Sequence, residues 1–463
     1  PTIGSLKMEK ETLKIGPSSP KPPFSLPLTV FDIYLFKINP IELIFHYALT
    51  DASSHNFNSI VLPQLKHSLS LVLDHFFPLA GRLVWPQNEP KPLILYRPND
   101  AVSLTVAKPL NPDSFLVNTG EDVVKASELR LMVPGLPNSD EEAEVLSIQI
   151  TFFENYGVAI GVSAHHAVCD GVSISLFMKA WAASNAGMSP LPDELIPSFD
   201  RQFDKDYEDE YSELLQWWYN GKHPWSEICD QPKSLKLFPR STLAPSLVRK
   251  TFNISASEAE KLKHFVENHE SNSELLHVST IVVSYALAIT CVLKANNIEK
   301  TAIIYAPANH RERVGLPGNY FGNCVFVTRR NIGAEDVLKT LCGETEGALV
   351  KISKEVCGIV KDLKGMNLRE ALNTRYLGSS ITLPVELFTL VLSPRFGFYR
   401  VDFGWGRPLK VDYTVLSMGM VCILDRRDSD GVQIQLLLEE HLVDDYSSLF
   451  AKGLQFEICQ NGN

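Results

Sequence analysis

Two α/β halves joined by an exposed linker are what this sequence predicts, and three observations predict it. The chain has 463 residues, more than one hydrophobic core usually supports, so two domains are the default expectation. Strand-like runs recur among helical periodicities on both sides of the chain's middle. Between them, residues 185–245 hold many prolines and the acidic run Asp204, Asp206, Glu208, Asp209 and Glu210, the mark of a solvated crossing segment. The expected divisions are 1–190, an exposed crossover at 191–245, and 246–463. No sequence repeat relates the two halves.

Composition narrows the class. Apolar residues make up 45% and charged residues 21%, an ordinary globular balance. A net charge of −11, with no basic stripe interleaved with aromatics, argues against a nucleic-acid partner. It also means that a polyanionic substrate would need a local cluster of Lys and Arg against the overall field. The eight cysteines stand singly, at 169, 229, 291, 324, 342, 357, 422 and 459, with no zinc-type spacing. With no signal-type segment at the start, they read as reduced thiols of a cytoplasmic protein. The sequence starts at Pro1 rather than at a methionine, as a trimmed chain would. The longest uncharged segment, Val278 to Leu293, is short for a membrane span and contains Ser, Thr and Tyr, so it is expected to be a buried helix.

Taken in order, residues 1–26 are polar and proline-rich and read as a loosely held start, with order beginning at Leu28-Thr29-Val30-Phe31-Asp32. Val61 to Phe77 has helical spacing, ended by Pro78. Leu93 to Tyr96 and Val102 to Val106 read as short strands. Leu146 to Phe153 and Val158 to Val162 read as a hairpin around the turn Glu154-Asn155-Tyr156-Gly157. Helical spacing resumes from Val172 to Trp181, with Asp170 and Gly171 suited to its start. The second half shows helices at Ala256 to Glu267 and Val278 to Ala295 and a strand at Ala302 to Tyr305. Further strands follow at Val411 to Thr414, Met418 to Leu424 and Val432 to Glu439, and a last helix at Tyr446 to Leu454.

The hairpin's second strand runs straight into His165-His166, where a strand leaves the sheet and a helix begins, a place where side chains project into a cleft. Four residues on comes Asp170, then Gly171. Imidazole is the usual general base for an attacking hydroxyl because it titrates near neutrality, and a carboxylate or carbonyl nearby can fix its tautomer. No Gly-x-Ser-x-Gly elbow exists: Gly161-Val162-Ser163-Ala164-His165 lacks the second glycine. Cys169 lies inside the motif, but nothing suggests a lowered thiol pKa. His165, His166 and Asp170 could form only part of a metal site, so no metal is expected. There is no P-loop and no dinucleotide fingerprint. A second string, Asp402-Phe403-Gly404-Trp405-Gly406, surrounds a tryptophan with two glycines, which more often fix a tight backbone path than perform chemistry.

Taken together, these strings resemble the BAHD acyltransferases of plants, whose two signatures are His-x-x-x-Asp and Asp-Phe-Gly-Trp-Gly. Both are intact, as His166 to Asp170 and Asp402 to Gly406. The resemblance continues through Leu28-Thr29, Phe31-Asp32, Phe77 to Leu83, Pro197-Ser198-Phe199-Asp200-Arg201, Arg311-Glu312-Arg313 and Tyr320-Phe321-Gly322-Asn323-Cys324. Tyr320 to Cys324 and Ser393-Pro394-Arg395-Phe396 look like the branch that acylates sugars of anthocyanins, flavonoids and phenolic glucosides, often with malonyl-CoA.

The resemblance implies two chloramphenicol-acetyltransferase-like domains with a solvent channel at their interface, and acyl-CoA as co-substrate with no permanently bound cofactor. It implies His166 as general base, with Asp170 paired to an arginine, for which Arg311 is the candidate. Asp402 is essential in the family and is expected to shape the CoA-side loop, with Gly171, Phe403, Gly404, Trp405 and Gly406 as structural support. The CoA-phosphate-binding residues are not identifiable from the sequence. Malonyl-CoA is the first expected donor, and because the chain departs from the malonyl branch at Asn309, Leu392 and Ile174, hydroxycinnamoyl-CoA stands close behind. A non-glycosidic alcohol or amine acceptor is the second reading, and a non-catalytic scaffold the third. A monomer is expected, with neither nucleic acid nor membrane as partner.

Overall fold

The structure is a computed structural model, described at residues 7–110, 123–207, 212–216, 233–237, 242–269, 278–298, 301–333, 345–365, 385–391, 393–415, 417–428 and 430–455. Its strands are numbered β1 to β17 in chain order and form three sheets. The first has the order β1 (Met8–Ile15), β6 (Val102–Pro109), β9 (Leu146–Phe153), β10 (Gly157–Ala164), β3 (Ile41–Ala48) and β15 (Lys410–Tyr413). The second runs β13 (Val325–Ile332), β12 (Thr301–Asn309), β14 (Val385–Val391), β16 (Met420–Asp425), β17 (Val432–Glu439), β11 (Leu247–Ile254) and β7 (Val123–Lys125). A small third sheet orders β2 (Phe24–Pro27), β5 (Leu93–Tyr96), β4 (Arg82–Val84) and β8 (Glu142–Glu144).

Each large sheet carries one strand from the other half of the chain. β15 pairs antiparallel with β3 in the register Lys410–His46 to Tyr413–Leu43. In return β7 pairs with β11, Val124 opposite Arg249. Helices cover the sheets: α1 (Val30–Tyr34), α2 (Leu62–Val72) and α3 (Gly171–Asn185) in the first half, α4 (Ala256–His269), α5 (Thr280–Ala295), α6 (Thr345–Gly365) and α7 (Val443–Leu454) in the second. α5 is the uncharged segment read as a buried helix, and it is buried from Val282 to Leu293 among α4, α6 and α7. None of the described helices is long and apolar enough to cross a membrane.

Three expectations change. The described part of the segment read as a loose start, residues 7–26, is held instead: β1 pairs with β6 along its whole length, from Met8–Pro109 to Ile15–Val102. It is an edge strand with its charged residues largely exposed, so it lacks the apolar signal of an interior strand. Asp204, read as solvated, is buried; it accepts from the Val30 amide at 2.8 Å and pairs with Lys91 at 2.8 Å. Side chains of the other acids in that run lie outside the described residues, as do Cys229, Cys342, Cys459 and Leu392. The helix expected to reach Phe77 stops at Val72, and Pro78 opens a separate turn, Phe77–Ala80. The described cysteines are all free thiols.

Candidate active site

β10 is buried along its whole length and delivers His165 and His166 into the six-residue link to α3. The two histidines differ. His165 is fully buried, and its Nδ1 accepts the Ala167 amide at 3.2 Å. Burial, then the charges of Lys37 and His166, lower its pKa to about 3, so it is a neutral packing group. His166 is partly exposed. Burial lowers its pKa below the ordinary 6.5, while its own carbonyl, Asp170 and the Asn323 side chain pull the other way. A neutral imidazole with a free lone pair follows at neutral pH.

Asp170 does not face that imidazole; it caps α3. Its Oδ1 accepts the Val172 and Ser173 amides at 3.1 and 3.0 Å, satisfying donors that every helix start leaves open. Arg311 closes on the same carboxylate in fork geometry, at 2.8 and 2.9 Å. Burial pushes the Asp170 carboxyl up, but the Arg311 charge and hydrogen bonds and the Ser173 and Cys324 amides hold it below the ordinary carboxylate value. Arg311 also donates to the Gly322 carbonyl at 2.9 Å, to Ser173 Oγ at 3.1 Å and to Asn309 Oδ1 at 3.2 Å. It therefore ties the end of β12 and the loop Tyr320 to Cys324 to the start of α3.

That loop returns to His166. Asn323 donates from Nδ2 to the His166 carbonyl at 2.7 Å and to Asp32 Oδ1 at 2.9 Å. Asp32 pairs with Arg201 at 3.0 Å. Neither Asn323 nor Asp32 was given a role by the sequence, because 291 residues separate them and their contact exists only in the fold. Cys169 is buried, and burial with the Asp170 and Asp32 charges raises its thiol well above the ordinary value, the opposite of a nucleophilic cysteine.

Gly171 has no room for a side chain unless a neighbour moves: a Cβ there would lie 2.3 Å from the Phe396 ring. Phe396 ends the turn Pro394–Phe396, whose carbonyl accepts Ser175 Oγ and Lys179 Nζ, both at 2.6 Å. Ile174 points into the core instead.

Asp402 to Gly406 sit elsewhere. Asn185, the last residue of α3, donates to the Phe403 carbonyl at 2.8 Å. Fifteen helical residues separate this end of α3 from Asp170, about 20 Å at 1.5 Å per residue. There Asp402 Oδ1 accepts the Gly404 and Gly406 amides at 2.8 and 2.9 Å, and both glycines have positive φ, 93° and 87°, which a side chain would strain. Phe403 is buried edge-on against Trp181, centroids 5.0 Å apart, and stacks on Trp405. The structure thus brings His166, Asp170, Gly171 and Arg311 together and leaves Asp402 to order its own loop.

Residues 7–448 match the profile of the Transferase family. This chain belongs to that family, the BAHD acyltransferases. Among its relatives, this acyltransferase is 37% identical to phenolic glucoside malonyltransferase 2 of Arabidopsis thaliana over 93% of its own length and 94% of the relative's. It is 34% identical to the same plant's malonyl-CoA:anthocyanidin 5-O-glucoside-6''-O-malonyltransferase, over 96% and 98%, and 32% identical to its agmatine coumaroyltransferase, over 96% and 99%. Its fold matches vinorine synthase with a TM-score of 0.67 at 23% identity, over 95% of this chain and 96% of that one. It also matches F. sporotrichioides TRI101, complexed with coenzyme A and T-2, at a TM-score of 0.61 and 14% identity, over 92% and 97%. This BAHD protein is an acyl-CoA-dependent acyltransferase with two sheet-rich domains. Among its described residues no cluster of three or more His, Cys, Asp or Glu could hold a metal ion.

Proposed function

We propose that the chain moves an acyl group from CoA onto a sugar hydroxyl of an anthocyanin, flavonoid or phenolic glucoside, with malonyl-CoA the first donor and hydroxycinnamoyl-CoA the second. The carrying observation is His166, an imidazole kept neutral at the exit of a buried strand, within a chain that matches a phenolic glucoside malonyltransferase across 93% of its length. His166 takes the proton of the acceptor hydroxyl as its oxygen attacks the thioester carbonyl. The tetrahedral oxyanion then collapses, the C–S bond breaks, and the imidazolium returns its proton to the CoA thiolate. No covalent acyl-enzyme forms. Asp170 and Arg311 hold the link and the start of α3, and Asp402 keeps its loop in shape at a distance; both are positioning roles.

Malonyl as donor rests on the relatives, since Ile174 offers no charge to its carboxylate. Agmatine coumaroyltransferase, at 32% identity, keeps an amine acceptor as the second reading. Product mass decides between them, after incubation with malonyl-, coumaroyl- and acetyl-CoA and a panel of phenolic glucosides and amines. Gain of one malonyl group on a glucoside is expected. Acylation of amines alone would overturn the glycoside assignment. In the productive pair, His166→Ala should lose roughly 10²–10⁴-fold in turnover, the usual worth of a general base.

A further inference from the structure

Asp32 is completely buried and serves two tasks with two oxygens. Its Oδ2 accepts the Thr29 amide at 2.9 Å while Thr29 Oγ1 accepts the Asp32 amide at 3.3 Å, which caps α1. Its Oδ1 takes no part in that cap. It accepts the Asn323 amide at 3.0 Å and Asn323 Nδ2 at 2.9 Å. Arg201, nine-tenths buried, supplies the counter-charge at 3.0 Å from Oδ2.

An acceptor-only carboxylate dictates which way Asn323 faces. One Nδ2 proton goes to Asp32 and the other to the His166 carbonyl at 2.7 Å, so both amide protons are committed. Asn323 Oδ1 is left buried without a hydrogen-bond partner, and so is His166 Nδ1. Resting on the reading of His166 as the base, we propose that Asp32 is a positioning residue for acyl transfer: through Asn323 and the His166 carbonyl it holds His166 in orientation. A cap alone would require Oδ2 but give Oδ1 no reason to engage Asn323. An asparagine at 32 would turn an amide nitrogen toward donors on one side or the other, unseating either the cap or Asn323.

The test compares wild type, Asp32→Asn and His166→Ala in steady-state kinetics with both substrates, together with the pH profile of kcat/KM and the thermal midpoint. For Asp32→Asn, kcat should fall about tenfold to a hundredfold with both KM values held within about threefold, the signature of a misplaced catalytic group. The acid limb of kcat/KM should move to lower pH, because the Asn323 side chain, which pulls the His166 pKa upward, is no longer held in place. If kcat stays within about twofold of wild type while His166→Ala is inactive, the role of Asp32 is overturned and the base assignment stands. Full turnover by His166→Ala would overturn both. Should Asp32→Asn not fold, Asp32→Asn with Arg201→Gln removes both buried charges, leaves neither unpaired, and is read by the same criteria.

Discussion

Asp170 stays ionised inside the protein because four donor groups surround it: two helix amides, the Cys324 amide and the Arg311 fork. Its folded pKa lies below the ordinary 3.8. A carboxyl depressed on folding adds stability above its unfolded pKa, and loses it as pH falls through the folded value. Asp170→Asn should therefore destabilise the protein by about 3–5 kcal/mol near neutrality, as does breaking other buried ion pairs. The stability gap between the two proteins in denaturant titrations should begin to narrow below about pH 4, where the unfolded carboxyl becomes protonated, and close only below the folded pKa. A constant gap down to the lowest accessible pH would show that charge is not what Asp170 contributes. At this scale the sequence was legible where partners are near neighbours: Asp170 four residues after His166, with Gly171 behind it, reads as a helix start. Arg311 came only through the family resemblance. Asp32 and Asn323 could not be read, because no local spacing carries a contact across 291 residues.

α3 is the beam on which the elements around the site are hung. Its first residue packs under Phe396, its next two turns grip the Phe396 carbonyl through Ser175 and Lys179, and its end holds Phe403. Positions 171, 175 and 179 share one face at i, i+4 spacing. Gly171→Ala must push the Phe396 ring aside, an overpacking cost of about 1–3 kcal/mol. Gly171→Ala with Phe396→Ala should cost less than the sum of the two singles in thermal or denaturant unfolding. Strict additivity would mean that the ring moves without strain. At the other end, Asp402→Ala removes the acceptor shared by two glycine amides. It should lower turnover while leaving the unfolding midpoint close to wild type, whereas a large midpoint loss would assign Asp402 to the core.

Elements were legible where both faces announced themselves: β9 and β17 have the expected bounds, and α5 begins two residues later than its apolar run. β3 escaped because Glu42 and His46 interrupt its apolar run, although all its residues but Ala48 are buried. Those polar groups have partners the sequence does not display: Thr414 Oγ1 donates to Glu42 at 2.7 Å, and Asp412 meets His46 at 3.0 Å.

For the whole molecule, the exchanged strands matter most. At the seam Asp412 of β15 lies between Arg249 of β11 and His46 of β3, all three buried. Burial pushes the Asp412 carboxyl up, but the Arg249 and Lys410 charges and the His46 hydrogen bond outweigh it and hold it well below the ordinary range. The halves therefore share both a sheet edge and a buried ion cluster. Segments 1–190 and 246–463 produced separately should each lack a cooperative thermal transition, while the full chain melts as one unit; a sharp independent melt of either would contradict this. The two-halves reading captured the number of large sheets but not the exchange, since a four-residue strand such as Lys410–Tyr413 carries no label for the sheet it joins.

The pairing of His46 with Asp412 spans 366 residues, and it sets a schedule for the nascent chain. β3 leaves the ribosome well before the strand that covers its edge, β15, is made. At about 5–20 residues per second, the first sheet waits roughly 20–70 seconds with a bare, apolar edge. During that interval the newborn protein presents a template for pairing with other chains, so holdase chaperones that shield such edges should govern how much active enzyme a cell recovers.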